Sequence, residues 1–380
     1  MNYTLFDEPS IRQSLLPLTF TRPVALIRVG ILTIAEKWEQ YTANKPLFLT
    51  EDYLHEKFPQ GGAELCINGA IIPNAALFEE IKNLKKGEAL LKKGLVIAYY
   101  GQAEVKKESA ADFKIIAFPW DIFAQNSAEI KSDIALLKAI KDKKWYKVED
   151  KPTIVYNPDN IFIEEGVKIR AAVLNAEDGP IYLGKNSEVQ EGALIKGPFA
   201  LCEGSVVNMG GKMRGDSTIG PFSKVGGEIS NSVIFGYSNK GHDGFIGNTV
   251  IGEWCNLGAD TNTSNLKNNY SQVQVYSYKE KGLANTGLQF CGLIMGDHSK
   301  AGINTMFNTG TVVGVCANIF GSGFPDKFIP SFAWGGAEGF ETFKLDKAYE
   351  VAERVMARRK IKLEEADKKI LKHIFDTTSK

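Results

Sequence analysis

The chain has 380 residues, enough for two domains, and its 44% hydrophobic and 24% charged residues are ordinary for a globular protein. Basic and acidic residues balance at 45 each, which gives no electrostatic reason to expect a nucleic acid or an anionic membrane as partner. No apolar run is long enough to cross a bilayer. The first residues, MNYTLFDEPS, include acids and lack the apolar core of a signal peptide.

The cysteines are widely spaced, and none forms a CxxC pair, which argues against a zinc site. They are Cys66, Cys202, Cys255, Cys291 and Cys316. The odd count and the absence of a signal peptide favour reduced thiols, and we expect a cytoplasmic protein with buried cysteines.

Residues 1–150 alternate short apolar runs with amphipathic stretches. ELCINGAII and GLVIAYY predict buried strands, whereas ILTIAEKWEQY, AALFEEIKNL and AEIKSDIALLKAI have the helical spacing of apolar residues. This alternation predicts an α/β layered domain with a largely parallel sheet. The charged stretch from Lys141 to Pro152 is the predicted linker.

Residues 151–340 hold 30 of the 37 glycines and repeat with a period of six. Mostly aliphatic residues, often followed by glycine, recur in three series: Leu183, Val189, Ile195 and Leu201; Ile251, Leu257 and Thr263; Met295, Ala301, Phe307, Val313 and Ile319. Three such units close a triangular coil, and stacked coils bury one continuous apolar column. The pattern predicts a left-handed parallel β-helix.

The six-residue register is lost between about 205 and 245 and again between 265 and 290. We interpret both stretches as loops that leave the coil, where solenoids often carry function. Residues 341–380 contain no glycine and show one apolar stripe that includes Ala348, Ala352 and Met356. They predict a C-terminal helix that caps the open end of the β-helix.

One segment of the predicted β-helix carries a more specific pattern. SNKGH is followed by VIGEWCNLGADT and then by SNLKNN. This segment resembles the acetyltransferase domain of the bifunctional N-acetylglucosamine-1-phosphate uridylyltransferase/glucosamine-1-phosphate acetyltransferase family, including its archaeal sugar-1-phosphate relatives. With LLPLTFTRPVALIRVGILTI near its start, the whole chain further resembles a variant subfamily of the Bacteroidetes type.

The resemblance implies roles for six residues. His242 would be the general base that deprotonates the substrate amine, a task that suits an imidazole. Asn265 and Lys267 would bind the sugar phosphate, and Lys240 would be a supporting cation. Ile303 and Phe320 would lie where backbone meets acetyl-CoA. The alternative for His242 is an ordinary corner residue.

Two departures from the family pattern concern the sugar. Phe245 stands where relatives often have tyrosine, and the asparagine loop lacks its usual Tyr-Asp-Gly. Some left-handed β-helix proteins are γ-class carbonic anhydrases with three histidines on zinc. Here only His242 and His298 fall in the β-helix, which disfavours a metal site.

The N-terminal domain resembles a sugar nucleotidyltransferase with a divergent loop. LPLTFTRPVALIRVG takes the place of the glycine-rich phosphate loop, so Arg22 and Arg28 are the candidates for nucleotide binding. Structural pairing of both arginines is the alternative. The metal ligands are unknown, with Asp121 a weak candidate for magnesium.

The expected function is a two-step synthesis of a UDP-N-acetylhexosamine. Acetyl-CoA would acetylate glucosamine 1-phosphate, and UTP with Mg²⁺ would then react at the N-terminal domain. The alternatives are an acetyltransferase with an inactive nucleotidyltransferase-like domain and a non-catalytic assembly or regulatory subunit. The family resemblance further implies a homotrimer that has small-molecule partners only.

Overall fold

The computed structural model describes residues 2–378. The N-terminal domain contains strands β1 (Thr4–Phe6), β2 (Leu47–Leu49), β3 (Leu65–Asn68), β4 (Ile71–Ile72), β5 (Glu88–Lys92), β6 (Leu95–Tyr100), β7 (Val105–Glu108) and β8 (Lys114–Ile115). Its helices are α1 (Pro9–Ser14), α2 (Ile34–Thr42), α3 (Ala75–Lys82) and α4 (Pro119–Lys138). The strands and helices predicted in this part of the chain are confirmed.

The main sheet of this domain is mixed, in the order β2-β1-β3-β6-β5-β7. Strands β2, β1 and β3 are parallel, but β6 runs antiparallel to both β3 and β5. Strand β7 is parallel to β5, so five of the six strands run in one direction and the expectation of a largely parallel sheet is confirmed. The reversed strand is β6, because the short turn at Lys93 and Gly94 that joins it to β5 permits only an antiparallel pair.

The second part of the chain is a parallel β-solenoid with three faces, consistent with the predicted left-handed β-helix. The first face contains nine strands: Ile161–Ile163, Ile181–Leu183, Phe199–Leu201, Ser217–Ile219, Val233–Gly236, Val250–Glu253, Ile294–Met295, Val312–Val313 and Phe328–Ile329. The second face contains Lys168–Ile169, Glu188–Val189, Val206–Val207, Lys224–Val225, Asn239–Lys240, Asn256–Leu257, Lys300–Ala301, Asn318–Ile319 and Ala333–Gly336. The third face contains Ile154–Tyr156, Val173–Asn175, Leu194–Lys196, Lys212–Met213, Glu228–Ser230 and Phe245–Gly247, followed by the separate pair Asn262–Thr263 and Met306–Phe307.

The residues of the six-residue series point into the coil and are buried, as predicted. The expectation of a loop between 205 and 245 was wrong, because the coil continues through this stretch. Its inward positions are Val207, Met213, Ile219, Val225, Ile229, Ile234 and Lys240. After Val225 the spacing between inward residues shortens to four and then five residues, and the last inward position is Lys240. The sequence therefore loses its regular period there, although the coil continues.

The second predicted loop does leave the coil. The chain departs after Asn265 and returns at Cys291, whose amide donates to the Asn265 carbonyl oxygen at 2.9 Å. Between them lies an antiparallel hairpin of Gln274–Ser277 and Gly282–Asn285, which we call the insertion hairpin. Its buried Val273 and Val275 pack in the same core cluster as the N-terminal domain.

The C-terminal segment forms two helices rather than one, α5 (Leu345–Ala357) and α6 (Glu365–Thr378). The chain turns between them at Lys360, which has a left-handed φ of 59°. Neither helix caps the end of the solenoid, where Gly339–Thr342 instead pairs antiparallel with the last strand. The helices pack along the edge between the first and second faces, where Met356 meets Trp254 and Ile374 lies in one cluster with Phe332.

These packings leave part of the solenoid open. The N-terminal domain contacts the first face, since Val233, Val250 and Val312 share its core cluster. The third face remains open, with Ile154 and Leu194 about half exposed. Within residues 2–378, no helix combines the length and apolar character needed to cross a membrane.

Candidate active site

His242 lies at the edge where the second face turns into the third. It follows the strand Asn239–Lys240 and precedes Phe245–Gly247, and its side chain is exposed. The loop is held from both neighbouring coils. Asn208 Nδ2 donates to the Gly241 carbonyl oxygen at 2.8 Å, and the Asp260 amide donates to the Asp243 carbonyl oxygen at 2.9 Å. A fixed backbone therefore presents an accessible imidazole.

Ile303 and Phe320 lie on the same edge, farther along the solenoid. The corner loops stack, because the Asn304 amide donates to the Ala259 carbonyl oxygen and a Cβ on Gly302 would lie 3.4 Å from Phe320 Cβ. Neighbouring coils are about 4.8 Å apart, so Ile303 lies about 10 Å from His242 along the axis. Both apolar side chains are open, Ile303 at 70% and Phe320 at 44% exposure. We call His242, Ile303 and Phe320 the His242 edge.

Lys240 takes an inward position in the coil and is fully buried. Its ammonium donates to the carbonyl oxygens of His242 and Asp243, both at 2.6 Å. Burial lowers the pKa of Lys240 to about 8. The structure thus gives Lys240 a role beneath the His242 loop, rather than on the ligand-facing side where the family resemblance had placed a supporting cation.

Asn265 lies at the opposite edge of the third face, across the outward-facing Phe245. Its Nδ2 donates to Asn248 Oδ1 at 2.8 Å. A Cβ on Gly247 would lie 2.6 Å from Phe245 Cζ and 2.7 Å from Asn265 Nδ2, so the ring and the amide lie side by side. The outward surface of the third face between His242 and Asn265 therefore presents the Asn265 amide and the Phe245 ring.

Two lysines donate to the segment that follows Asn265. The Lys267 ammonium donates to the Gln272 carbonyl oxygen at 2.7 Å, and the Lys327 ammonium donates to that of Gln274 at 3.3 Å. The two ammonium groups thus donate to carbonyl oxygens only two residues apart, and burial together with the Lys267 charge lowers the pKa of Lys327. Sequence reasoning missed Lys327, because it lies 60 residues away and belongs to no motif.

The two arginines proposed for nucleotide binding are buried and engaged within the protein. The Arg22 guanidinium pairs with Asp297 and with Glu253 Oε1 at 3.1 Å, and it lies over the Phe235 ring. The Arg28 guanidinium donates to the Ile31 carbonyl oxygen. These contacts correspond to the structural pairing considered as the alternative, and they join the N-terminal domain to the solenoid through Arg22.

The candidate metal ligands do not come together. Asp121 Oδ2 accepts from the amides of Ala117 and Phe118, both at 2.9 Å, and so closes the start of α4. His298 is half-buried on the other edge of the second face, and desolvation of its ring lowers its pKa to about 3. Residues 2–378 contain no group of three or more histidines, cysteines or acids placed to hold a metal. Asp121 is thus engaged at the start of α4, and no magnesium ligand is assigned.

Comparisons with known proteins found one family model and several similar proteins. Residues 3–142 match the family model described as sugar nucleotidyl transferase. The chain is 28% identical over 199 residues to the bifunctional protein GlmU of Methanococcus maripaludis, covering 52% of this chain and 41% of the relative. It is 30% identical over 160 residues to a bifunctional sugar-1-phosphate nucleotidylyltransferase/acetyltransferase of Sulfurisphaera tokodaii, covering 42% of this chain and 37% of the relative.

A third relative is named only for acetyl transfer. It is the uncharacterized acetyltransferase YaiX of Escherichia coli, 25% identical over 173 residues, which cover 45% of this chain and 70% of the relative. The chain spans less than half of the length of the two bifunctional relatives. These names describe the relatives, to which the chain is similar over part of its length.

Proposed function

We propose that the chain is a transferase that moves the acetyl group of acetyl-CoA to the amine of an amino-sugar 1-phosphate at the His242 edge. One observation carries the proposal: the exposed His242 and the Asn265 amide lie at the two edges of one open face of the solenoid, and Lys267 follows directly after Asn265. Bifunctional relatives with nucleotidylyltransferase and acetyltransferase activities in their names support the same reaction.

The proposed chemistry needs one base and an anion-stabilising backbone. His242 accepts a proton from the substrate nitrogen, whose lone pair attacks the thioester carbonyl carbon. The carbon–nitrogen bond forms, and the oxyanion is stabilised by backbone N–H groups of the corner loops. The carbon–sulfur bond then breaks, and the proton held by His242 passes to the departing CoA sulfur.

The sugar phosphate would lie on the third face with its phosphate toward Lys267 and Lys327. Two close ammonium groups repel each other, and a phosphate between them would relieve that repulsion. Asn265 would hydrogen-bond the sugar. Phe245 offers a flat apolar surface but no hydroxyl group, so the sugar loses one hydrogen bond that a tyrosine would supply.

Acetyl-CoA would lie along the His242 edge, over Ile303 and Phe320. Both side chains are more exposed than is usual for large apolar residues, and a bound pantetheine arm or a neighbouring subunit would cover them. In this orientation of acetyl-CoA, the thioester lies beside His242 and the rest of the CoA extends toward Phe320.

The experiment is a thiol-release assay on the full chain with acetyl-CoA and glucosamine 1-phosphate. We expect free CoA to appear only when both substrates are present. Unphosphorylated glucosamine should react at least tenfold more slowly, because it lacks the group that binds the lysine pair. CoA release no faster than the enzyme-free blank would contradict the proposal, and equal rates with both sugars would contradict the placement of the phosphate.

We further propose that residues 1–150 transfer a uridylyl group from UTP to the acetylated product, while residues 151–340 perform the acetylation. The match of residues 3–142 to a sugar nucleotidyl transferase family supports this second step. Pyrophosphate release from UTP and N-acetylglucosamine 1-phosphate, with magnesium in the buffer, is the test. No release would leave acetyl transfer as the only activity, and the absence of both activities would favour a non-catalytic subunit.

Replacing Lys240 by methionine should lower kcat for acetyl transfer about ten- to hundredfold, because the His242 loop loses the donor beneath it and a small displacement of a catalytic group is costly. Lys300→Met is the matched control, since Lys300 donates to the His298 carbonyl oxygen at the other edge. The measurement is kcat for both variants between pH 7 and 9. The wild-type advantage over Lys240→Met should shrink above pH 8 as Lys240 loses its charge. A loss of the same size in both variants would contradict the role of Lys240.

We also propose a homotrimer, in which the open third face and the His242 edge of one subunit meet the next. Light scattering during gel filtration should give three times the chain mass of 41.8 kDa. Leu194→Asp should shift the mass toward the monomer, because it places a carboxylate on an apolar patch. A wild-type monomer at micromolar concentration would contradict this arrangement.

A further inference from the structure

A cleft of about 510 Å³ lies between the N-terminal domain and the solenoid. One wall comes from the end of α1 and the start of α4, with Leu16, Phe118 and Trp120. The other wall is the insertion hairpin, with Lys279 and Thr286, and the floor includes residues of the first face. Its floor belongs to the first face rather than the third, and neither Arg22 nor Arg28 lines it. Its size falls within the range of small-molecule sites, which often lie between domains.

We propose that this cleft binds a nucleoside phosphate, with the base stacked on the rings of Phe118 and Trp120. The proposal rests on the proposed nucleotidyl transfer only for the kind of ligand, because the site itself is defined by the cleft and its lining.

The aromatic pair is the first argument. The rings of Phe118 and Trp120 are stacked 4.7 Å apart at an interplanar angle of 4°, and Phe118 is 42% exposed. Two parallel rings with an open side form a platform to which a planar base can add a third layer, and stacking on aromatic side chains is a common way to hold bases. The lining beside the rings is partly apolar, since it includes Leu16, Val275 and Ile294.

The polar groups are the second argument, and they lie mainly on the opposite wall. Lys279 provides an ammonium that donates to Ser10 Oγ at 2.7 Å, and Ser277 and Thr286 add hydroxyl groups. Glu280 balances the charge of Lys279, so stacking rather than net charge should provide most of the affinity.

The position of the hairpin is the third argument. It leaves the solenoid directly after Asn265 and reaches across to the N-terminal domain. The two walls of the cleft therefore belong to different parts of the chain. The wall formed by the insertion hairpin follows Asn265, which belongs to the proposed acetyl-transfer site. Arg22 and Arg28, in the segment that replaces the glycine-rich phosphate loop, are engaged in contacts within the protein. The cleft offers a different cation, Lys279, together with the Phe118–Trp120 platform.

The experiment is isothermal titration calorimetry of the full chain with UTP and UMP, and with N-acetylglucosamine 1-phosphate as the ligand that has no base. Titrations in EDTA keep metal out of the measurement. Trp120→Ala and Phe118→Leu should each weaken UMP binding at least about tenfold, whereas Trp120→Phe keeps an aromatic ring and should stay within about threefold. Lys279→Ala should weaken UTP binding more than Lys281→Ala, its neighbour outside the cleft.

The outcomes separate this proposal from acetyl transfer and from nucleotidyl transfer. No binding of UMP or UTP to the wild type at millimolar concentration overturns it, as does binding that Trp120→Ala leaves unchanged. Thiol release at the His242 edge should be the same in Trp120→Ala and the wild type, so a failure of the cleft leaves that activity intact. Pyrophosphate release that survives Trp120→Ala would place the nucleotide elsewhere while preserving the proposed transfer.

Discussion

His242→Ala is expected to slow the release of CoA from acetyl-CoA and an amino-sugar phosphate by a factor of about 10² to 10⁴, the range for loss of a general base. The side chain is exposed, so its removal should leave the fold unchanged. The loss should fall on kcat, because the imidazole acts on the amine proton and adds little to binding. The measurement is the steady-state rate at saturating concentrations of both substrates.

The matched control for this prediction is His373→Ala. His373 is another exposed histidine, stacked on Tyr53 at the C-terminal helices and remote from the His242 edge. It should leave kcat unchanged. If His242→Ala keeps the wild-type rate, the imidazole is an ordinary corner residue and another group must take the proton.

Arg22→Met is expected to lower the free energy of unfolding by about 3 to 5 kcal/mol, the usual cost of removing one partner of a buried ion pair. Asp297 would remain buried without its cation, and its carboxylate would keep only polar neighbours such as Thr21, whose Oγ1 donates to it at 2.7 Å. Urea denaturation followed by tryptophan fluorescence measures the change. Arg214→Met is the control, because the exposed pair of Arg214 with Glu228 should contribute at most about 1 kcal/mol.

The effect of Arg22→Met should depend on pH. Although burial opposes it, the Arg22 guanidinium lowers the pKa of Asp297 in the folded protein. A carboxyl group with a lowered pKa stabilises the fold above its unfolded pKa, and this contribution is lost as the pH falls through the folded value. The difference between wild type and variant should therefore be largest near neutral pH and shrink in acid. A difference that is constant with pH would show that Arg22 contributes through packing alone.

The β-helix was predictable because its inward apolar residues recur at a fixed spacing along the sequence. Each inward residue from Leu183 to Leu201 follows the last by six, and each is buried. The loop predicted from about 205 was wrong because the step of six continues through Val225, and only after Val225 does the coil shorten its corners while it keeps its three faces. Spacing alone does not distinguish a shortened corner from a departing loop, since only the pairing with neighbouring coils settles which one is present.

The site was predictable only in part. His242 and Asn265 were found from a local motif, and the structure places them at opposite edges of one face. Lys327 and the Phe118–Trp120 platform belong to no motif and reach their neighbours through folding over long distances. Arg22 shows the opposite case, because a basic residue in a suggestive sequence position is satisfied by Asp297, 275 residues away.

The central claim is that an amine of a sugar phosphate is acetylated at the His242 edge. Its most direct test is a nuclear magnetic resonance analysis of the sugar product after wild-type enzyme and His242→Ala are each incubated with acetyl-CoA and glucosamine 1-phosphate. Wild type should yield glucosamine 1-phosphate with the acetyl group on nitrogen, and His242→Ala should yield almost none in the same time. Unmodified sugar in both samples, or equal N-acetylation in both, would contradict the claim.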